Sequence, residues 1–243
     1  MSKKKFLPAL LLMVLSIGGA SAQTVKSADS LIAESAIARG NRSFAKADYE
    51  AALREYGRVP RGDRESFAQA LYNMGVCHYE LWHTDVAIDL YRQALEVQHG
   101  NYPRASYALG VALEDQGRRG EAKAAYKQSI VMSKDTYALA HYRLGLLISM
   151  EGDYEAAAAS FRKAIGRAGE HLPASHNNLG VMLARQGRLS EAGREFEVAL
   201  RQSGGAFEDA AHNLKLCRSL LTTSTTARTQ EFKITDAVPA AYR

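Results

Sequence analysis

Glycine recurs in this chain at Gly40, Gly75, Gly110, Gly145 and Gly180, a constant step of 35 residues. Twelve residues after each glycine stands an alanine (Ala52, Ala87, Ala122, Ala157, Ala192), and sixteen after each an aromatic residue (Tyr56, Tyr91, Tyr126, Phe161, Phe196). A fixed period in this range marks a stack of like units, each of which can bury its apolar face only against its neighbours. The chain is therefore expected to form an elongated array and not one closed core.

The pattern within a unit predicts two helices. In the third unit, residues 103–116 carry Tyr107, Leu109, Val111 and Leu113, and residues 119–131 carry Ala122, Ala125, Tyr126 and Ile130, the three-and-four spacing of amphipathic helices. Gly117, Gly152 and Gly187 stand between the two segments, where a helix end favours a left-handed residue. Pro103 and Pro173 open their units, where the missing N–H is harmless. The period glycines, by contrast, fall inside helices, where each costs about 1 kcal/mol relative to alanine. Packing must offset that cost. Gly110 and Ala122 are expected to form facing notches that let two helix backbones approach, with Tyr126 filling the adjoining space.

These residues resemble the tetratricopeptide repeat, most clearly in Leu144-Gly145, Gly152-Asp153-Tyr154, Ala157, Phe161 and Ala164. The resemblance implies an all-α, right-handed α-solenoid of helix-turn-helix repeats. It assigns repeats to residues 33–67, 68–102, 103–137, 138–172 and 173–207, a capping helix to 208–221, a lead-in to 23–32 and a flexible Thr-rich tail to 222–243. The usual repeat of that family has 34 residues, so the thirty-fifth is placed in the connection to the following unit. The first unit has Arg39 where the others have Met74, Leu109, Leu144 and Leu179, as suits the polar end of a solenoid. In the cap, Asn213-Leu214 aligns with Asn178-Leu179, but Lys215 takes the glycine's place. The 35-residue RNA-reading relatives of this family lack the glycine, alanine and aromatic triplet, so no nucleic acid is expected as partner.

The resemblance also implies that first helices line a groove through the second, fifth, ninth and twelfth positions of each unit. The fifth position reads Ile37, Tyr72, Tyr107, Tyr142, Asn177 and His212; the ninth reads Asn41, Val76, Val111, Leu146, Val181 and Leu216. Tyr72, Tyr107, Tyr142, Asn177, Val111 and Leu146 are thus the candidate contacts for a protein or peptide partner, tyrosine offering large area with little entropy to lose. A homo-oligomeric envelope component is the alternative. Some members grip a carboxylate through five residues; Asn41, Asn73 and Arg104 match three places, but Ile37 and Ala108 stand where that clamp has cations.

Catalytic, cofactor and metal chemistry find little footing. His78 with His83, and His171 with His176, are five apart instead of the four that align two ligands on a helix. Glu114 and Asp115 face different sides of a helix and read as solvated surface. Cys77 and Cys217 are 140 residues apart, which excludes a disulfide between them in such an array and suits buried small hydrophobes. The chain carries 31 Lys and Arg against 26 Asp and Glu, yet three of the lysines lie in the first 22 residues. There, Lys3 to Lys5 precede an apolar stretch over residues 6–17 and an Ala20-Ser21-Ala22 ending, the layout of a cleaved secretory signal. About 12 apolar residues fall short of the roughly 20 that span a bilayer as a helix. The expected location is therefore outside the cytoplasm, periplasmic or envelope-associated, with no lasting membrane insertion.

Overall fold

The structure, a computed structural model, describes residues 27–167, 172–223 and 231–236. Those residues form eleven helices and no strand. They run in pairs: α1 (Ala28–Phe44) with α2 (Tyr49–Tyr56), α3 (Arg64–Glu80) with α4 (Thr84–Val97), α5 (Pro103–Asp115) with α6 (Arg119–Met132), α7 (Ala138–Met150) with α8 (Tyr154–Arg167), and α9 (Pro173–Arg185) with α10 (Leu189–Gln202). The last helix, α11 (Glu208–Thr223), has no partner helix after it among the described residues and ends two residues beyond the expected cap. Each helix packs on the next, and first helices of successive units also touch, as α1 does α3, α3 does α5, and α9 does α11. The result is an all-α solenoid. The expected signal segment, residues 1–22, lies outside the described residues.

The helix ends follow the chain's local chemistry. Ser27, Asp48, Asp63 and Asp153 each accept a hydrogen bond from the backbone N–H three residues on, at 3.0 to 3.1 Å, which satisfies a donor that the helix itself leaves open. Inside each unit the turn holds one left-handed residue. Gly117, Gly152 and Gly187 fill it as expected, at φ +73° to +83°, but the same place in the first two units falls to Ala47 (φ +57°) and Trp82 (φ +62°). The turn geometry is thus set by the repeat and not by glycine. Trp82 has its side chain 90% exposed there. Three connections that follow a second helix carry two successive left-handed residues, His99-Gly100, Lys134-Asp135 and Gly204-Gly205.

Packing within units is more specific than the notch expectation. A Cβ built on Gly75, Gly110, Gly145 or Gly180 would sit 2.5 to 2.8 Å from a ring carbon of Tyr91, Tyr126, Phe161 or Phe196 respectively, and one on Gly40 would strike Tyr56. Each glycine therefore opens a seat for the edge of an aromatic ring sixteen residues later. The atoms nearest to each such Cβ are the ring's, so the space the glycine leaves is filled by the aromatic side chain. The alanines in step with them, Ala52, Ala87, Ala122, Ala157 and Ala192, are wholly buried. Cys77 and Cys217 are free and buried.

Substituting alanine tests this seat against helix propensity. Gly145→Ala is expected to destabilise the protein by about 1–3 kcal/mol, the cost of overpacking a rigid ring contact. Gly166→Ala, in α8 with nothing within 4 Å of the new methyl, is expected to stabilise by up to about 1 kcal/mol. Paired urea melts followed by circular dichroism check both signs; two stabilising changes would show that the ring does not occupy the glycine's place.

Candidate functional site

The first helices line one face of the stack, and that face divides into two parts. The first part is open. Between α3, α5 and α7 lies a groove of about 720 Å³ whose walls include Tyr72, Val76, Tyr107, Val111, Tyr137 and Arg143. Its tyrosines are held by ring contacts: Tyr72 lies 5.9 Å from Tyr91 and 5.5 Å from Tyr102, and Tyr107 lies 5.8 Å from Tyr126 and 5.2 Å from Tyr137, centroid to centroid. Tilted rings at these separations are favourable pairs and fix the walls before any ligand arrives.

Charge in this open part is confined and directed. Burial raises the hydroxyl pKa of Tyr72 and Tyr107 and pushes that of Tyr102 up to about 12, so the tyrosines remain neutral donors. Burial opposes the Arg143 charge, but Tyr107, Tyr126 and Glu114 around it more than offset this, and its guanidinium is held above the usual arginine range. Glu114 accepts the Tyr126 hydroxyl at 2.7 Å and lies 3.7 Å from Arg143; Asp115 accepts from Tyr79. Glu114 is therefore a partly buried structural acceptor, contrary to the expectation of solvated surface, while Asp115 is exposed as expected and also accepts from Tyr79.

The second part of the face, over α7, α9 and α11, is filled by the chain itself. Residues 231–236 lie across it, running from α11 towards α7, against the order of the repeats. Asn213 Nδ2 donates to the Lys233 carbonyl at 2.8 Å while Asn213 Oδ1 accepts from the Lys233 N–H at 2.8 Å. Asn178 treats Thr235 in the same way, at 2.6 and 2.8 Å. Both groups of residues 233 and 235 thus point to one side with a two-residue step, which is the geometry of an extended strand. Each asparagine amide takes the place of a neighbouring strand's peptide group.

Side chains complete the seat. Phe232 is 3% exposed and stacks on Phe196, with ring centroids 5.8 Å apart and planes 17° from parallel. Ile234 packs against the same apolar cluster. The Thr235 hydroxyl donates to Asp209 at 2.9 Å and accepts from Asn177 at 3.1 Å, and the Tyr142 hydroxyl donates to the Thr235 carbonyl at 2.5 Å. The expected flexible tail over 222–243 is corrected for these six residues: alternate apolar side chains find a pocket, and the backbone finds partners. The remainder of that tail, apart from the end of α11, lies outside the described residues.

The candidate contacts consequently fall into two sets. Tyr72, Tyr107 and Val111 are half-buried and border the open groove. Tyr142, Asn177 and Leu146 are at most 2% exposed: the first two bond to the docked segment, and Leu146 sits in the cluster that receives Phe232. They are not free surface, because the chain already covers them. Sequence reasoning missed Asn178 and Asn213, which stand one position beyond the column it chose. Their signal was present, since the pair Asn-Leu recurs 35 residues apart.

Two other expectations need comment. His78 and His83, set on different helix faces by their spacing, in fact meet with Nδ1 atoms 3.3 Å apart, because the left-handed Trp82 folds the chain back. Among the described residues, no group of three or more His, Cys, Asp or Glu side chains could hold a metal ion. In the partial carboxylate clamp, Asn41 is engaged by the Tyr56 hydroxyl at 2.8 Å and by Asn73 at 3.4 Å, while Arg104 borders the open groove.

A stack of helix pairs with one face shaped for an extended chain defines a repeat-type recognition fold. The tetratricopeptide repeat family matches residues 68–101, 107–173 and 151–208, together more than half of the chain, and the protein belongs to that family. No curated protein matches its sequence. Solved structures share the fold at low identity. The MamA protein of Desulfovibrio magneticus RS-1 is 22% identical over 72% of this chain and 97% of its own, with a TM-score of 0.58. YrrB, described as a TPR protein with an unusual peptide-binding site, is 20% identical over 78% and 98%, with a TM-score of 0.58. TTC0263, a thermophilic TPR protein of Thermus thermophilus, is 22% identical over 78% and 99%, with a TM-score of 0.52.

Tyr142 joins the two parts, and its hydroxyl can be removed without changing the ring. Tyr142→Phe is expected to weaken docking of the segment by about 0.5–1.5 kcal/mol, one net hydrogen bond. Amide exchange at Thr235 should accelerate by up to about tenfold while exchange within α9 stays the same. Unchanged exchange at Thr235 would remove Tyr142 from the site.

Proposed function

We propose that the protein is a scaffold that holds an extended segment of a partner protein along the groove of its first helices. The supporting observation is that half of this face already holds an extended segment, through asparagine side chains bonded to backbone and pockets for alternate side chains. The open part belongs to the same face and continues it from Tyr142 onwards, so it is where a further segment would lie. The open part, with Tyr72, Tyr107 and Val111 as apolar walls and Arg143 as a fixed cation, is the free seat. YrrB's description as peptide-binding agrees with this reading. No catalytic step is proposed for any residue of the groove.

The location we propose is outside the cytoplasm, in the periplasm or cell envelope of a bacterium, on the strength of the basic, apolar and small-residue order of residues 3–22. The partner is then a protein of that compartment. Intact-mass measurement of the protein recovered from its native host should show a chain beginning at Gln23; a chain retaining Met1 to Ala22 would refute export by cleavage.

The groove assignment has its own test. Peptides selected from a random library on the immobilised full chain should lose at least about tenfold in affinity to a Tyr72→Ala, Tyr107→Ala double variant, as expected when two aromatic anchors of an interface are truncated. Titration calorimetry reads the change. Ligands that bind wild type and variant alike would place recognition elsewhere.

A further inference from the structure

We infer that the α7, α9 and α11 face is a receptor for a partner segment of the pattern aromatic-any-aliphatic-threonine in extended form, and that residues 231–236 occupy it as an internal competitor. The partner side of this inference rests on the reading above; the internal contact does not. The pattern follows from what each residue of the segment meets. Phe232 needs the bare face of Phe196, Ile234 needs the apolar cluster, and Thr235 needs both the Asp209 carboxylate and the Asn177 amide. Lys233 has an exposed side chain and contributes only its backbone, so that position is unrestricted.

The backbone contacts set the register. Asn178 and Asn213 occupy equivalent places one unit apart and hold residues two apart, so the face reads two ligand residues per repeat. A ligand running the opposite way would offer its side chains to the wrong pockets. The seat therefore selects direction as well as sequence.

Occupation from within alters what a partner must achieve. A segment joined to α11 by a short connection faces its seat at an effective concentration in the millimolar range. A free peptide binds only the fraction of molecules whose seat is vacant, and its apparent affinity falls by that fraction. A partner carrying the same pattern must hold the seat more tightly than residues 231–236 do, or also engage the open groove beyond Tyr142. The internal segment in this way raises the threshold for recognition and excludes weak ligands.

The test uses a fluorescein-labelled synthetic peptide, Glu-Phe-Lys-Ile-Thr-Asp, and the full chain, with binding read by anisotropy. A chain carrying Phe232→Asp and Ile234→Asp should release its own segment and bind the peptide at least about tenfold more tightly than wild type. Adding Asn178→Ala and Asn213→Ala to that chain should abolish the gain, and a peptide with Phe and Ile changed to Ala should not bind. Equal affinity for wild type and released chain, or binding indifferent to the two asparagines, overturns the proposal. In the unaltered protein, added peptide should accelerate amide exchange at Lys233 and Thr235; no acceleration at saturating peptide refutes competition. Exchange protection that falls when the peptide-free protein is diluted assigns the segment to a second copy and also overturns the internal reading. The library ligands are read through Tyr72 and Tyr107 and the hexapeptide through Asn178 and Asn213, so failure of one reading is separable from failure of the other.

Discussion

An aromatic ring seated on a glycine in the opposite helix is the contact on which this architecture depends. Tyr91, Tyr126, Phe161 and Phe196 are at most 2% exposed, and each occupies the space that a side chain on Gly75, Gly110, Gly145 or Gly180 would take. Rings of this kind bury roughly 150–250 Å² each, which offsets the helix penalty of glycine several times over. The hydroxyls are accommodated separately. Tyr56 donates to Asn41 and Tyr126 to Glu114, which satisfies those two polar ends. Phenylalanine takes over in the last two units, and the bare ring of Phe196 is the one on which Phe232 stacks.

Fixing the two helices of a unit also fixes which residues face the groove. Because every unit is clamped at the same place, equivalent positions in successive first helices fall in columns, and a column of like side chains becomes a ruler along the face. Tyr72 and Tyr107 form such a column in the open part, each wedged between two other aromatics. Asn178 and Asn213 form another in the filled part. Their amides need a partner when buried, since an unsatisfied buried amide costs on the order of 1–3 kcal/mol. The docked backbone supplies that partner, and it receives in return the hydrogen bonds of a strand without a sheet.

Much of this is legible in the sequence because the repeat enforces it. The 35-residue step, the helix pairs and the glycine and aromatic partners follow from positions that every unit must share. What the pattern does not disclose is what the units do not share. Ala47 and Trp82 adopt the left-handed turn without glycine, since the packed helices on either side over-determine the backbone there. Threonine-rich composition around residues 231–236 suggests a loose tail, because composition reports the average of a segment and not whether Phe232 and Ile234 match a pocket contributed by residues far along the chain. The asparagines read as common framework residues. Only the placement of a backbone against them reveals that two of them measure out a strand.

The ruler and the strand do not have the same pitch. Two residues of extended chain advance about 6.6 Å, whereas packed helices stand about 8–10 Å apart, so the register drifts by roughly 1–3 Å with each unit. Two neighbouring asparagines can absorb one such drift by leaning towards each other. The third place in the column is not asparagine: it is Arg143, whose longer side chain borders the open groove and lies 3.7 Å from Glu114. Tyr142 beside it has already claimed the Thr235 carbonyl from the next unit. The face is divided at Tyr142, with asparagines bonded to strand backbone on one side and, on the other, a tyrosine-walled space bordered by Arg143. On the proposed reading, a ligand long enough to use both parts would change its mode of contact at that boundary, since the residues on either side of Tyr142 are of two kinds.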